Sequence, residues 1–137
     1  MLHDLSIVHR DVKCANLFLT SDGVLKLGDL NVSKVAKWGM LQTQTGTPYY
    51  CSPEVWQGKS YDFKSDIWSA GCVLYEMCAL TPPFNAQSME GLCRKICEGV
   101  VPSLSLNYSK DLNLMVKLCL VQAPKQRPTC YDLLCKS

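Results

Sequence analysis

The stretch from Ser65 to Leu80 places the tightest constraint on how this chain can fold. It runs Ser65-Asp66-Ile67-Trp68-Ser69-Ala70-Gly71-Cys72-Val73-Leu74-Tyr75-Glu76-Met77-Cys78-Ala79-Leu80 without a proline, and Thr81-Pro82-Pro83 stops it. Ile67, Gly71, Leu74 and Cys78 share one helical face, while Trp68, Val73 and Met77 cover another. A helix that is apolar nearly all round must be surrounded by protein, so the remaining segments have to pack about it. Three of them carry helical spacing. Ser88 to Glu98 ends at Gly99, a second segment starts at Ser109 with Leu112, Met115, Val116 and Cys119, and a third starts at Arg127-Pro128-Thr129 with Tyr131, Leu134 and Cys135. Ser52-Pro53-Glu54-Val55-Trp56-Gln57 reads as a shorter helix, with Ser52 capping, Pro53 at the first position and Gly58 ending it. With 137 residues, 47% of them hydrophobic, the chain can fill one modest core. The expected class is a single, mainly α domain without repeats or linkers.

The first quarter of the chain reads differently. Residues 1–6 have the look of the last turn of a helix. Ile7-Val8 then leads into His9-Arg10-Asp11-Val12-Lys13-Cys14-Ala15-Asn16, and Leu17-Phe18-Leu19 follows at once. A dense polar cluster held between two apolar clamps is a loop built to fix its side chains. Leu17 to Leu27 reads as a β-hairpin turning at Ser21-Asp22-Gly23. The hairpin returns Asp29 to the neighbourhood of Asn16. Residues 29–54 then lack periodicity, and a loop of that length in a compact domain is usually functional.

Phosphoryl transfer to a hydroxyl asks for little covalent chemistry and much positioning. A carboxylate must accept the hydroxyl proton, and oxygen ligands must hold magnesium against the phosphates. Asp11 suits the first task, and Asn16 with Asp29 the second.

His-Arg-Asp-Val-x-x-x-Asn over residues 9–16 matches the catalytic-loop pattern of protein kinases, with Val12 where that pattern has Leu. Asp29-Leu30-Asn31 stands where the family has Asp-Phe-Gly, and Ser52-Pro53-Glu54 where it has Ala-Pro-Glu. Asp66-Ile67-Trp68-Ser69-Ala70-Gly71 stands where its central helix begins. The chain therefore resembles the C-terminal lobe of a eukaryotic protein kinase, over essentially its whole length. Asp11-x-Lys13-x-x-Asn16 and Gly46-Thr47-Pro48-Tyr49-Tyr50 are similar to serine/threonine kinases. Leu27 to Asn31, Gly46 to Tyr50 and Ser65 to Met77 look like the NIMA-related members.

The resemblance implies the organisation of a partial kinase domain over 1–137: a catalytic loop at 9–16, an activation segment at 29–54 and a helical subdomain at 65–136. It implies ATP and Mg2+ as cofactors, with a protein substrate whose serine or threonine hydroxyl receives the γ-phosphoryl group. Asp11 is then the proton acceptor, Lys13 a phosphate-facing cation, and Thr47 a contact to both. Asn16 and Asp29 are metal ligands. Thr43 lies where NIMA-related kinases carry an activating phosphate, which Arg10 would pair with. His9 becomes structural, as do Asp66 and the pair Glu54 and Arg127. In the altered metal loop, Leu30 keeps an apolar role and Asn31 is the non-glycine residue best suited to left-handed backbone angles.

No G-x-G-x-x-G loop and no V-A-I-K strand occurs in the sequence, so the nucleotide-covering lobe is absent from it. Alone, the chain is expected to transfer phosphate poorly. A non-catalytic kinase-like binding or scaffold module is the alternative, against which stands the retention of Asp11, Lys13, Asn16 and Asp29. A formal net charge of +2 without a basic run gives no reason to expect nucleic acid as a partner. Neither a membrane-length apolar run nor a charged leader is present, so a cytoplasmic protein is expected; cilium or centrosome association follows from the subfamily alone. Nine cysteines, mostly in apolar stretches, read as buried reduced thiols. Cys93 and Cys97, four apart, leave a metal or disulfide reading open.

Overall fold

In the computed structural model, residues 2–29, 48–60 and 62–135 are described. A 3₁₀ turn at His3–Leu5 ends in left-handed Ser6, with φ of 59°. A second turn at Cys14–Asn16 leads into a two-stranded antiparallel sheet of β1 (Leu17–Leu19) and β2 (Leu25–Leu27). Leu17 pairs with Leu27 and Leu19 with Leu25. Gly23 supplies the positive φ of the turn, 82°, and the Thr20 hydroxyl donates to the Asp22 carboxylate. Among the described residues five α-helices follow: α1 (Pro53–Trp56), α2 (Phe63–Ala79), α3 (Met89–Glu98), α4 (Lys110–Cys119) and α5 (Cys130–Leu134).

The helical subdomain begins earlier than Ser65, at Phe63. Asp62 is the true cap, accepting from the Lys64 and Ser65 amides at 2.8 and 3.2 Å. Ser65 serves that cap reciprocally, accepting from the Asp62 amide, and donates its hydroxyl proton to Glu54 Oε1 at 2.8 Å. Ser52 does occupy the N-cap position of α1, but its hydroxyl makes no capping bond. The last helix starts at Cys130, three residues later than Arg127, because Thr129 and Asp132 form its capping box.

The core lies where α2, α3 and α4 meet. Trp68 is fully buried and stacks on Phe84, with ring centroids 5.7 Å apart. Leu92, Ile96, Val116 and Leu120 belong to the same cluster, as do Trp56, Cys72, Tyr75 and Leu104, and each of the four aliphatic side chains first named contributes about 1.5–3 kcal/mol by leaving water. A Cβ at Gly71 would lie 2.6 Å from Cβ of Cys119, so glycine is what lets α2 and α4 approach so closely. Burial of α2 fades toward its end: Met77 is 59% exposed and Leu80 85%. Met77, Leu74, Leu25, Leu27, Tyr131 and Leu134 instead line an apolar cavity of about 590 Å³. No helix among the described residues is long and apolar enough to cross a membrane.

Candidate active site

Asp66, in the first turn of α2, is the fixed point from which the polar loop is built. Its side chain is buried, with Oδ1 accepting the Arg10 amide at 2.9 Å and Oδ2 the His9 amide at 2.8 Å. The same Oδ2 lies 3.0 Å from Nε2 of His3. These bonds hold Arg10 at φ of 71°, a left-handed conformation that costs a non-glycine residue roughly 1–2 kcal/mol. The Arg10 side chain itself is exposed.

His9 is buried and ties the loop to the end of β2. Its Nδ1 accepts from the Asp11 amide at 3.3 Å, which leaves the proton on Nε2 to donate to the Gly28 carbonyl at 3.0 Å. Both ring nitrogens are thereby engaged within the chain.

Asp11, Lys13 and Asn16 form one hydrogen-bonded set. Lys13 Nζ lies 2.8 Å from Asp11 Oδ2, and Asn16 Nδ2 donates to that oxygen at 2.9 Å and to the Asp11 carbonyl at 2.7 Å. With both of these donors on Oδ2, Asp11 Oδ1 takes no hydrogen bond among the described residues, so it can accept a proton from an incoming hydroxyl. Asn16 is buried, and its carbonyl accepts from the Gly28 amide at 2.9 Å. That bond delivers Asp29, one residue on, to the same end of the hairpin at φ of 57°. Gly28 lies against the Phe18 ring, which would have to move for an added Cβ, 2.7 Å away.

The oxygen chemistry suits a hard divalent cation. Asn16 spends its side-chain nitrogen on Asp11, which leaves its side-chain oxygen Oδ1 as a ligand atom toward metal, while Asp29 supplies a carboxylate. Magnesium is commonly held by one or two protein oxygens plus phosphates, so this modest set fits it. No group of three or more His, Cys, Asp or Glu side chains placed to hold a metal occurs among the described residues, the Cys93 and Cys97 pair included. The nine cysteines are free thiols, and burial pushes Cys51 and Cys119 up to about 11.

Behind the loop, Glu54 and Arg127 meet across 73 residues in a two-pronged pair with both contacts at 2.7 Å. Arg127 also donates to the carbonyls of Val121, Lys64 and Gln122, and its guanidinium lies 4.9 Å from the centre of the Trp68 ring. Burial works against charge on Glu54. The bond from Arg127, with those from the backbone and Ser65, outweighs it and holds the carboxyl below its usual range.

Two partners escaped the sequence reading. Tyr50 donates to Glu76 Oε2 at 2.6 Å while its carbonyl accepts from Ser69, fastening the chain beyond Pro48 to α2. The flanking Thr47-Pro48-Tyr49 motif was the only signal for Tyr50, and His3 had none. Thr43 and Thr47, with Leu30 and Asn31, lie outside the described residues.

A family model described as the protein kinase domain matches residues 1–137. Serine/threonine-protein kinase Nek3 of Mus musculus is 44% identical over 137 residues, covering 98% of this chain and 27% of the mouse protein. Serine/threonine-protein kinase Nek1 of the same organism is 43% identical over 135 residues, 97% of this chain and 11% of its own length. The G2-specific protein kinase fin1 of Schizosaccharomyces pombe is 44% identical over 131 residues, 94% and 18% respectively. The chain thus spans well under half the length of these relatives.

Proposed function

The chain belongs to the protein kinase domain family, and from that premise we propose that it is the C-terminal, catalytic-loop lobe of a NIMA-related serine/threonine kinase. The observation that carries this reading is the set of Asp11, Lys13 and Asn16, bonded to one another and anchored through Asp66. In the proposed reaction a substrate serine or threonine hydroxyl gives its proton to Asp11 as its oxygen bonds to the γ-phosphorus of ATP. The bond to the bridging oxygen breaks and ADP leaves. Lys13, held beside Asp11, would offset phosphate charge. Asn16 and Asp29 would hold magnesium, which supplies charge neutralisation on the phosphate oxygens.

By the same family resemblance, Thr47 would contact Asp11 and Lys13 and favour a hydroxyl substrate. Thr43 is assigned as a phosphorylation switch read by the exposed guanidinium of Arg10. The partners are a protein substrate and a nucleotide, and the compartment to examine is the cytoplasm, including cilium and centrosome. By itself the 137-residue chain is expected to turn over slowly, since its sequence has no glycine-rich loop to cover the phosphates.

Calorimetric titration of the chain with ADP, with and without magnesium, tests the site. Binding should require magnesium and should fail in Asp29→Ala. Equal binding by the two proteins would remove the metal site from the account.

A further inference from the structure

On the side of Asp66 away from Arg10 lies a second chain of polar groups that the phosphoryl-transfer reading does not use. Cys130 Sγ is 3.4 Å from Nδ1 of His3, and Nε2 of His3 is 3.0 Å from Asp66 Oδ2. The three residues are far apart in sequence, at positions 130, 3 and 66, and are brought together by the 3₁₀ turn, α2 and the start of α5.

The proton positions follow from the partners. Asp66 accepts from the Nε2 side, and in the neutral tautomer with its proton there His3 presents a bare Nδ1 to the thiol. In that tautomer Cys130 is the donor in the S–H···N contact. Burial pushes the Cys130 thiol up and, with the carboxylates of Asp66 and Asp4, outweighs the opposing pull of the chain's amino group and of a backbone hydrogen bond, so at neutral pH the sulfur is protonated. Such a sulfur reacts well only when a base removes its proton during attack. His3 is that base, and the buried Asp66 carboxylate stabilises the imidazolium that results.

The thiol is accessible. Cys130 is exposed, and a cavity of about 570 Å³ lined by His3, Asp4, Phe63, Lys125 and Tyr131 opens beside it. We propose that Cys130 is a modification site for small soft electrophiles, activated by His3 and coupled through Asp66 to the loop that carries Asp11. With an α-haloacetamide, the Cys130 sulfur bonds to the methylene carbon as the carbon–halogen bond breaks. Halide leaves with the electron pair, and the thiol proton passes to Nδ1 of His3. The added group displaces His3 from its contact with Cys130, loosening one of the ligands of Asp66 Oδ2. That oxygen also holds the His9 amide, and Oδ1 holds that of Arg10.

Timed labelling of the whole chain with iodoacetamide, read peptide by peptide, tests this whether or not the chain transfers phosphate. Cys130 should label several-fold faster than Cys135, which is also exposed but has no hydrogen bond to a histidine among the described residues. His3→Gln should slow Cys130 about tenfold while leaving Cys135 unchanged. After labelling, the His9 and Arg10 amides should exchange with deuterium faster than before. Cys130 reacting no faster than Cys135 overturns the proposal on the unmodified sequence alone. An unchanged ratio in His3→Gln overturns the role of His3, and unchanged exchange overturns the coupling.

Discussion

Asp66 Oδ1 accepts the backbone amide of Arg10 at 2.9 Å, across 56 residues of sequence. The bond fastens a left-handed residue of the loop to the buried end of the longest helix, so the geometry around Asp11 is inherited from the core. Asp66→Ala would strand the His9 and Arg10 amides at about 1–3 kcal/mol each where water cannot replace the carboxylate. Urea unfolding should show a loss of about 3 kcal/mol. A loss below about 0.5 kcal/mol, within the range of an ordinary surface change, would mean the loop holds its shape without Asp66.

The Glu54–Arg127 pair should behave as a buried ion pair that cannot lose one member. Arg127→Met leaves an uncompensated carboxylate and should cost about 3–5 kcal/mol, a large part of the stability of a small domain. The double variant Glu54→Leu with Arg127→Met should recover part of that loss, as a coupled cycle measured by denaturant would show. Strict additivity would argue against the pairing.

The same pair sets an acid limit. The folded-state Glu54 carboxyl lies below its usual value of 4.5, so its contribution is complete above that pH. As pH falls below 4.5 toward the lower folded value, the unfolded chain takes up the proton first and the contribution is lost. The stability difference between wild type and Glu54→Gln should therefore be greatest near neutrality and shrink on acidification. A difference that stays constant down to pH 3 would contradict it.

Gly71→Ala probes the helix contact. The added methyl would meet the Cys119 side chain at 2.6 Å, where neither backbone can retreat without parting α2 from α4. Overpacking of this kind costs about 1–3 kcal/mol, despite alanine's better helix propensity. A thermal melt at or above that of wild type would show the contact to be looser than described.

What the sequence made legible was local or patterned. The loop from His9 to Asn16 and its clamps were readable, as was the partnership of Glu54 with Arg127 once the family resemblance was seen. The tyrosine, histidine and cysteine partners were not. Tyr50 with Glu76 and His3 with Cys130 join segments whose approach only the packed core decides, and no spacing encodes it. The start of α2 misled for a different reason. Asp62 and Ser65 are both good capping residues, and they act together: Asp62 is the cap and Ser65, one turn on, closes the capping box while also bonding Glu54. The exposed end of α2 likewise follows from where its neighbours stop: Met77 faces the cavity beside the hairpin.

The central claim is that Asp11 accepts a proton during phosphoryl transfer. It is tested most directly by joining residues 1–137 to a protein-kinase N-terminal lobe that carries a glycine-rich loop and measuring phosphate transfer to a serine/threonine peptide. The account predicts transfer by the joined protein and a fall in kcat of about 100-fold or more in Asp11→Asn, with nucleotide binding retained. A joined protein that binds nucleotide and transfers phosphate equally well with and without the Asp11 carboxylate would contradict it.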